Sequence, residues 1–561
     1  MSENREKKPF DRRNGKPFEK RGDKHFVKKD GKPFEKREGK PFEKKDGKPF
    51  EKRDGKPFEK KEGKPFEKHD GKPFEKRDGK PFEKRDGKPF VKREGGHFDP
   101  RSKKPEGRPA VPPKPANSPA RMAALKAVFD TYYSDSYTNL SLDKQLKAAH
   151  LNDEDKRLAT SIFYLCIENK LKIEYILSAF VAVKPEKIIE AILHVAVVQI
   201  LFMDKIPPFA AVNEAVNEAK LYKKEEAASF VNGVLRSLLR AKDAGTLATE
   251  PGEEADELTR MSVRLSAGRE VIGLLSDAFG KEEAEAILSY RPKERFETVR
   301  PNLLRYSDNE LEAYLTGKGI SFEKSVIPHA YRAKRAGNLT ETPEYEMGLY
   351  SLQGESAMLA ALAMQPKRGM NVLDTCAAPG GKASLMCELM QCSGRVYAWD
   401  LHEHRVNLMK VNGIRLGLDN LRCAERDATE LKDDFIDSMD AVLIDAPCTG
   451  LGVLSDKPDL KYSMTREKAE SIRADQKKIL DTCCRYVKKG GLLVYSTCTI
   501  LPDENEEQIK SFLLRHPEFK AETDVSYLPE ELRSKCEGGM LTLMQHRDDL
   551  EGFFIARLRR V

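Results

Sequence analysis

The sequence predicts a multidomain chain that ends in an α/β domain with a mostly parallel sheet, residues 349–561. Ahead of it stand a disordered repeat tail with a Pro-rich linker (1–119), an all-α domain (120–245), a helical connector (246–290) and a small α/β unit (291–348). Three observations predict this order. Residues 10–98 repeat with a period of eight. From Ala120 the apolar residues recur at helical spacing. From about Leu349, apolar strand-like runs alternate with helical patterns, as βαβ units do. A chain of 561 residues is also too long for one core and suggests roughly three or four units.

Charged residues make up 34% and hydrophobic residues 39%, which suits a soluble protein with a long polar segment. No apolar run approaches the ~20 residues of a membrane span. Nothing behind Met1-Ser2-Glu3-Asn4-Arg5 reads as a secretory signal. The ten cysteines show no paired spacing, and the chain has no CxxC pair. That argues against a disulfide scaffold or a metal site, and for reduced thiols in the cytoplasm. The net charge of +8 is uneven: residues 1–116 hold 39 Lys+Arg and 23 Asp+Glu, or +16, leaving −8 on the rest. Basicity belongs to the tail, so any basic face on the folded body must be local.

The tail unit is Gly-Lys-Pro-Phe-Glu-Lys-Arg-Asp, clearest from Gly31 to Asp86, with Phe at every eighth position from Phe10 to Phe98. Gly and Pro block a helix, and one Phe per unit cannot build a core. Two readings stay open. A polycationic, Phe-spaced arm would hold RNA weakly through counterion release and base stacking. With two acids in each unit it could equally be a solubilising tail. Deleting residues 2–104 separates them. An RNA-holding arm predicts weaker, less salt-dependent RNA affinity; an inert tail predicts an unchanged salt slope. After the linker Pro105–Pro119, helical periodicity runs through Ala120–Phe129, Ile188–Met203 and Ala210–Leu221. In the small unit, Phe296–Asn302 reads as a strand and Asp308–Leu315 as a helix.

In the last domain two cysteines follow apolar runs that read as buried parallel strands. Cys448 lies in Asp445-Ala446-Pro447-Cys448-Thr449-Gly450 after Ala441–Ile444, and Cys498 in Tyr495-Ser496-Thr497-Cys498-Thr499 after Leu492–Tyr495. Functional groups of open α/β sheets gather at the carboxyl ends of strands, so both thiols are expected in one crevice. Two thiols there suit covalent addition and elimination, one attacking and one helping to remove a proton. Upstream, the strand Met370–Asp374 leads into Thr375-Cys376-Ala377-Ala378-Pro379-Gly380-Gly381-Lys382, a glycine-rich turn opening the helix Ala383–Met390. Small residues let a ligand reach the backbone and the free amides of the helix start. The turn is neither the dinucleotide nor the phosphate-loop pattern. Asp400 ends the strand Arg395–Trp399 and can accept from ribose hydroxyls. Asp427 follows Leu421–Ala424 and could meet an adenine amine, and Asp445 ends the fourth strand. This ordered series of acids suits a cationic nucleoside cofactor, S-adenosyl-L-methionine.

Residues 349–561 resemble the Nol/Nop/Sun family of RNA cytosine-5 methyltransferases, whose domain is Rossmann-like. The resemblance is carried by Thr375–Lys382, Asp400–Arg405, Asn412 with Arg415-Leu416-Gly417, Asp445–Gly450, Pro458-Asp459-Leu460-Lys461, Tyr495–Thr499, Glu504-Asn505-Glu506 and Gly552–Ala556. Thr449 and Thr499 stand where serine is common, and Leu451 where threonine is common. Residues 120–245 resemble the NusB-like RNA-binding domain through Ile206–Val216, Phe230–Arg236, Asp155 and Arg157; Cys166-Ile167-Glu168-Asn169 departs from that pattern.

The two resemblances together imply an enzyme that methylates a cytosine of small-subunit ribosomal RNA, with Cys498 as nucleophile and Cys448 assisting release of the carbon-5 proton. Asp445 would hydrogen-bond ring nitrogen 3 and Lys382 would contact substrate or favour a thiolate. The implied cofactor site is Cys376, Ala377, Ala378, Pro379, Gly380, Gly381, Lys382, Asp400, Arg405, Asp427 and Asp445. The reacting base must be unstacked, which favours loop or single-stranded RNA. A monomer without metal or membrane partner is expected. Transfer RNA as substrate, or a non-catalytic RNA-binding assembly factor, are the competing readings. Cys166, Cys387, Cys392, Cys423, Cys483, Cys484 and Cys536 read as small buried hydrophobes, and His402 and His404 as solvated residues at a helix start.

Overall fold

The computed structural model describes residues 118–133, 138–223, 225–334 and 337–561. The repeat tail and most of the linker lie outside the described residues.

The helical domain runs from Pro119 to Asp243 around one core. Its central helix, Lys187–Leu201, buries Ile189 and every residue from Ala191 to Ile200. A helix apolar on all sides must be enclosed, and the other helices of this domain enclose it. Asn152 caps the helix Asp153–Glu168 by accepting from the Asp155 amide at 2.8 Å, a contact worth about 1 kcal/mol. No helix among the described residues is long and apolar enough to cross a membrane.

The segment read as a connector forms three short helices, Glu257–Leu265, Arg269–Phe279 and Lys281–Ser289. They do more than connect. Met261, Leu265, Val271, Ile272 and Leu275 share a core with Leu451, Leu454, Ile500 and Leu501. They therefore back the two loops that carry Cys448 and Cys498.

The small unit is a four-stranded antiparallel sheet, β1 (Phe296–Pro301), β2 (Ser321–Lys324), β3 (Tyr331–Lys334) and β4 (Tyr350–Leu352), in the order β2-β3-β1-β4. Its helix Asp308–Gly317 starts at a capping box of Ser307 and Glu310. β4 lies beyond the expected boundary at residue 348, because Val299, Arg300 and Pro301 pair with Leu352, Ser351 and Tyr350. Three residues are too few to show strand periodicity in sequence. Arg300 from β1 is 0% exposed and forms an ion pair with Glu388 at 2.6 Å. It also donates to Gln353 at 2.7 Å, welding the unit to the last domain.

That domain holds a nine-stranded sheet. Five strands form its parallel core: β5 (Asn371–Asp374), β6 (Arg395–Asp400), β7 (Leu421–Glu425), β8 (Met439–Asp445) and β9 (Val487–Thr497), in the order β9-β8-β5-β6-β7. β10 (Phe519–Ala521), β11 (Cys536–Glu537), β12 (Met540–Leu543) and β13 (Phe553–Arg560) extend it antiparallel beyond β9. Lys461, in the quoted Pro-Asp-Leu-Lys motif, is 2% exposed and donates to the Leu288 carbonyl at 3.2 Å. Burial pushes it down to about 7.

Candidate active site

β8 and β9 run in parallel with Asp445 opposite Ser496, so the chain leaves both strands side by side. Cys448 and Cys498 thereby meet, Sγ to Sγ, at 3.2 Å as free thiols, each partly accessible. The two loops pass so closely that only glycine fits between them. A Cβ on Gly452 would lie 2.3 Å from the Gly552 carbonyl oxygen and 2.8 Å from that of Cys498.

A buried polar lattice fixes the two loops from below. The Glu504 carboxylate accepts from the Thr449 amide (3.0 Å), the Thr449 hydroxyl (2.5 Å) and the Gln476 amide (2.8 Å). Thr449 and Thr499 share a hydrogen bond at 2.8 Å, and Gln476 also donates to the Pro447 carbonyl at 3.0 Å. Asn505 donates to the Thr499 carbonyl at 3.0 Å and accepts from Thr497 at 2.6 Å. Glu504 shows no role in the sequence because its partners Gln476 and Thr449 lie 28 and 55 positions away. Glu504→Ala is expected to strand these buried donors and lower unfolding stability by on the order of 3 kcal/mol, read from urea unfolding, with lost activity following from loosened loops.

The electrostatics separate the thiols. Cys498 is held below its ordinary value, first by the hydrogen bond from Cys448 and then by the Lys457 and Lys382 charges, against burial and Asp445. Cys448 is pushed well up by that same hydrogen bond, by burial and by the Cys498 charge. These influences favour the ionised form on Cys498 and the neutral form on Cys448. Lys457 went unremarked in the sequence, where an exposed lysine four residues before another gives no signal. Lys382 binds Asp445 at 2.7 Å, and Ser496 donates to the other Asp445 oxygen at 2.8 Å.

The loop Cys376–Lys382 joins β5 to the helix Gly381–Leu389. Ala377 is tied to the Trp399 carbonyl and Gly380 to that of Ala377, both at 2.7 Å. Gly380 has φ of +103°, where a side chain is strained, and a Cβ there would meet Met409 at 3.2 Å. Asp400, 3% exposed, accepts from the His402 amide at 3.2 Å and pairs with Arg405 at 3.1 Å. Arg405 also donates to the Ala378 carbonyl at 2.9 Å, so it braces the loop against β6. Asp427, just past β7, accepts from the Thr429 amide (2.8 Å) and hydroxyl (2.7 Å) and shapes that turn. Asp374, at the end of β5, is fully buried with no well-formed partner for either oxygen. A backbone of small residues, strand-end acids and a buried carboxyl with no cation of its own fit a cationic nucleoside.

Cys166, Cys387, Cys483 and Cys484 are buried, whereas Cys376, Cys392, Cys423 and Cys536 are half-buried at core edges. His402 and His404 are exposed and stack on each other at 5.6 Å. Among the described residues one group could ligate a metal, Glu174, Glu190 and His194. Glu190 already pairs with Lys184 at 3.1 Å and accepts from Tyr133 at 2.7 Å, so its charge is answered within the chain.

Residues 361–559 match the family described as 16S rRNA methyltransferase RsmB/F, and residues 118–240 the NusB family. The probable ribosomal RNA small subunit methyltransferase B of Bacillus subtilis is 35% identical over 445 residues, which span 78% of this chain and 98% of that one. The chain belongs to the ribosomal RNA small subunit methyltransferase B family. The family member of Shewanella oneidensis is 30% identical, spanning 78% of this chain and 98% of its own. The crystal structure of PH0851 superposes with a TM-score of 0.69 at 25% identity, covering 80% of this chain and all of that one. The protein is thus an S-adenosylmethionine-dependent ribosomal RNA methyltransferase, and RNA is its substrate.

Proposed function

We propose that the protein methylates carbon 5 of a cytosine in small-subunit ribosomal RNA through a covalent adduct on Cys498. The observation that carries this reading is the thiol pair at 3.2 Å, in which Cys498 alone is held below the ordinary thiol value. When bound, the cofactor would be held by Cys376–Lys382, Asp400 and Asp427 and would supply an electrophilic methyl group.

Carbon 5 of cytosine is a poor nucleophile. When the Cys498 thiolate bonds to carbon 6, the ring double bond shifts its electrons and carbon 5 becomes enamine-like. Ring nitrogen 3 takes up a proton from solvent, and the Asp445 carboxylate, steadied by Lys382 and Ser496, accepts its N–H; the charged ring draws density from carbon 6. Carbon 5 then takes the methyl group. Removal of its proton restores the double bond and expels the Cys498 thiolate. Cys448, its own proton lost to solvent once Cys498 is bonded to carbon 6 and uncharged, takes the carbon-5 proton as a thiolate, and the S–H so formed stabilises the departing Cys498 thiolate. Two partly accessible thiols in one crevice suit this sequence better than a binding factor, which needs neither.

Bisulfite sequencing of total RNA from cells with and without the gene tests the proposal. One small-subunit cytosine should lose its methyl group. A change confined to transfer RNA would keep the chemistry and move the substrate. No change in any RNA would refute the reading.

A further inference from the structure

The steps above make no use of Asp374. Its side chain is 0% exposed, and neither carboxylate oxygen has a well-formed hydrogen-bond partner. An ion buried in this way is strongly disfavoured. The titratable groups facing it come from four elements: Asp445 from β8, Lys382 from the helix Gly381–Leu389, Cys376 from the loop and Asp400 from β6. Burial is the largest influence and Asp445 adds to it; Lys382 and the Cys376 amide oppose, and the carboxyl is pushed up to about 8. Lys382 is already engaged with Asp445 at 2.7 Å, and Arg405 with Asp400 at 3.1 Å. Of the three acids Asp374, Asp400 and Asp445, only Asp374 has no ion pair among the described residues. S-adenosylmethionine carries a permanent sulfonium charge, while its demethylated product has a neutral sulfur.

We propose that Asp374 discriminates the cofactor by charge: it holds a proton in the free enzyme, releases it to solvent when the sulfonium cation arrives, and recovers one after methyl transfer. The carboxyl O–H bond breaks heterolytically, the electron pair stays on Asp374, and no redox partner is needed. The donor is then held with a carboxylate nearby, and the neutral product loses that attraction and leaves. This inference rests on the cofactor and not on which base is methylated.

Titration calorimetry of the full chain at pH 7, in two buffers of different ionisation enthalpy, counts the protons. With S-adenosylmethionine the wild type should release up to one proton more than Asp374→Asn. With S-adenosylhomocysteine that excess should disappear. The ligand's own amine titrates against both proteins and cancels in the difference. Asp374→Asn should also lower the affinity ratio of donor over product on the order of tenfold, one pKa unit of coupling. Equal proton counts, or an unchanged ratio, would overturn the proposal. Should the variant not fold, infrared difference spectra of the wild type decide. A protonated-carboxyl band should vanish with S-adenosylmethionine and survive with S-adenosylhomocysteine; its survival with both would overturn it. Failure of the wild type to bind S-adenosylmethionine at all would overturn the cofactor assignment instead.

Discussion

Cys498→Ser is expected to lower methylation of ribosomal RNA by at least ~10³-fold, the scale seen when a covalent nucleophile is removed, while S-adenosylmethionine binding stays within a factor of two or so of the wild type. The serine hydroxyl is nearly isosteric, yet it has no ionised form near neutral pH to accept the contact from Cys448. Cys498 lies beyond the end of β9, outside the Cys376–Lys382 loop, so binding and chemistry separate. The wild-type single-turnover rate should follow the Cys498 thiolate. It should rise with pH and level off below the ordinary thiol value of ~8.5, because the Cys448 hydrogen bond and the Lys457 and Lys382 charges favour the ion. A rate still climbing above that value would place the nucleophile elsewhere.

Cys448→Ala is expected to convert the enzyme into a trap. Addition and methyl transfer need only Cys498, Asp445 and the cofactor, so the adduct should still form. Its release needs the carbon-5 proton removed, and alanine removes both the assisting sulfur and the S–H contact to the departing thiolate. An enzyme–RNA species should then survive a denaturing gel, be absent from wild type, and be lost again in the Cys448→Ala/Cys498→Ser double variant. Turnover at the wild-type rate with no trapped species would remove Cys448 from the mechanism.

Much of the site was legible because strand ends are a one-dimensional signal. Asp400, Asp445 and Cys498 each follow a run of β-type apolar residues, and a parallel sheet brings such positions to one edge. The glycine-rich turn was legible for a similar reason, since φ of +103° at Gly380 constrains the residue itself. What escaped depends on partners distant in sequence. Glu504 acts through Thr449 and Gln476, and Lys457 through a sulfur 41 positions on. Residues 246–290 carried helical periodicity, but their packing against Leu451 and Ile500 is tertiary. β4 was too short to show alternation. Arg405 reads as a cofactor ligand from its motif, and its contacts to Asp400 and Ala378, which the sequence does not show, add a bracing role.

The most direct measurement is peptide mapping by mass spectrometry of the species trapped by Cys448→Ala on ribosomal RNA with S-adenosylmethionine. The proposed chemistry predicts a single cross-linked peptide, with the sulfur of Cys498 bonded to a cytosine that already carries the added methyl group. A nucleotide bonded to any other residue, or a cytosine on Cys498 methylated anywhere but carbon 5, would contradict it.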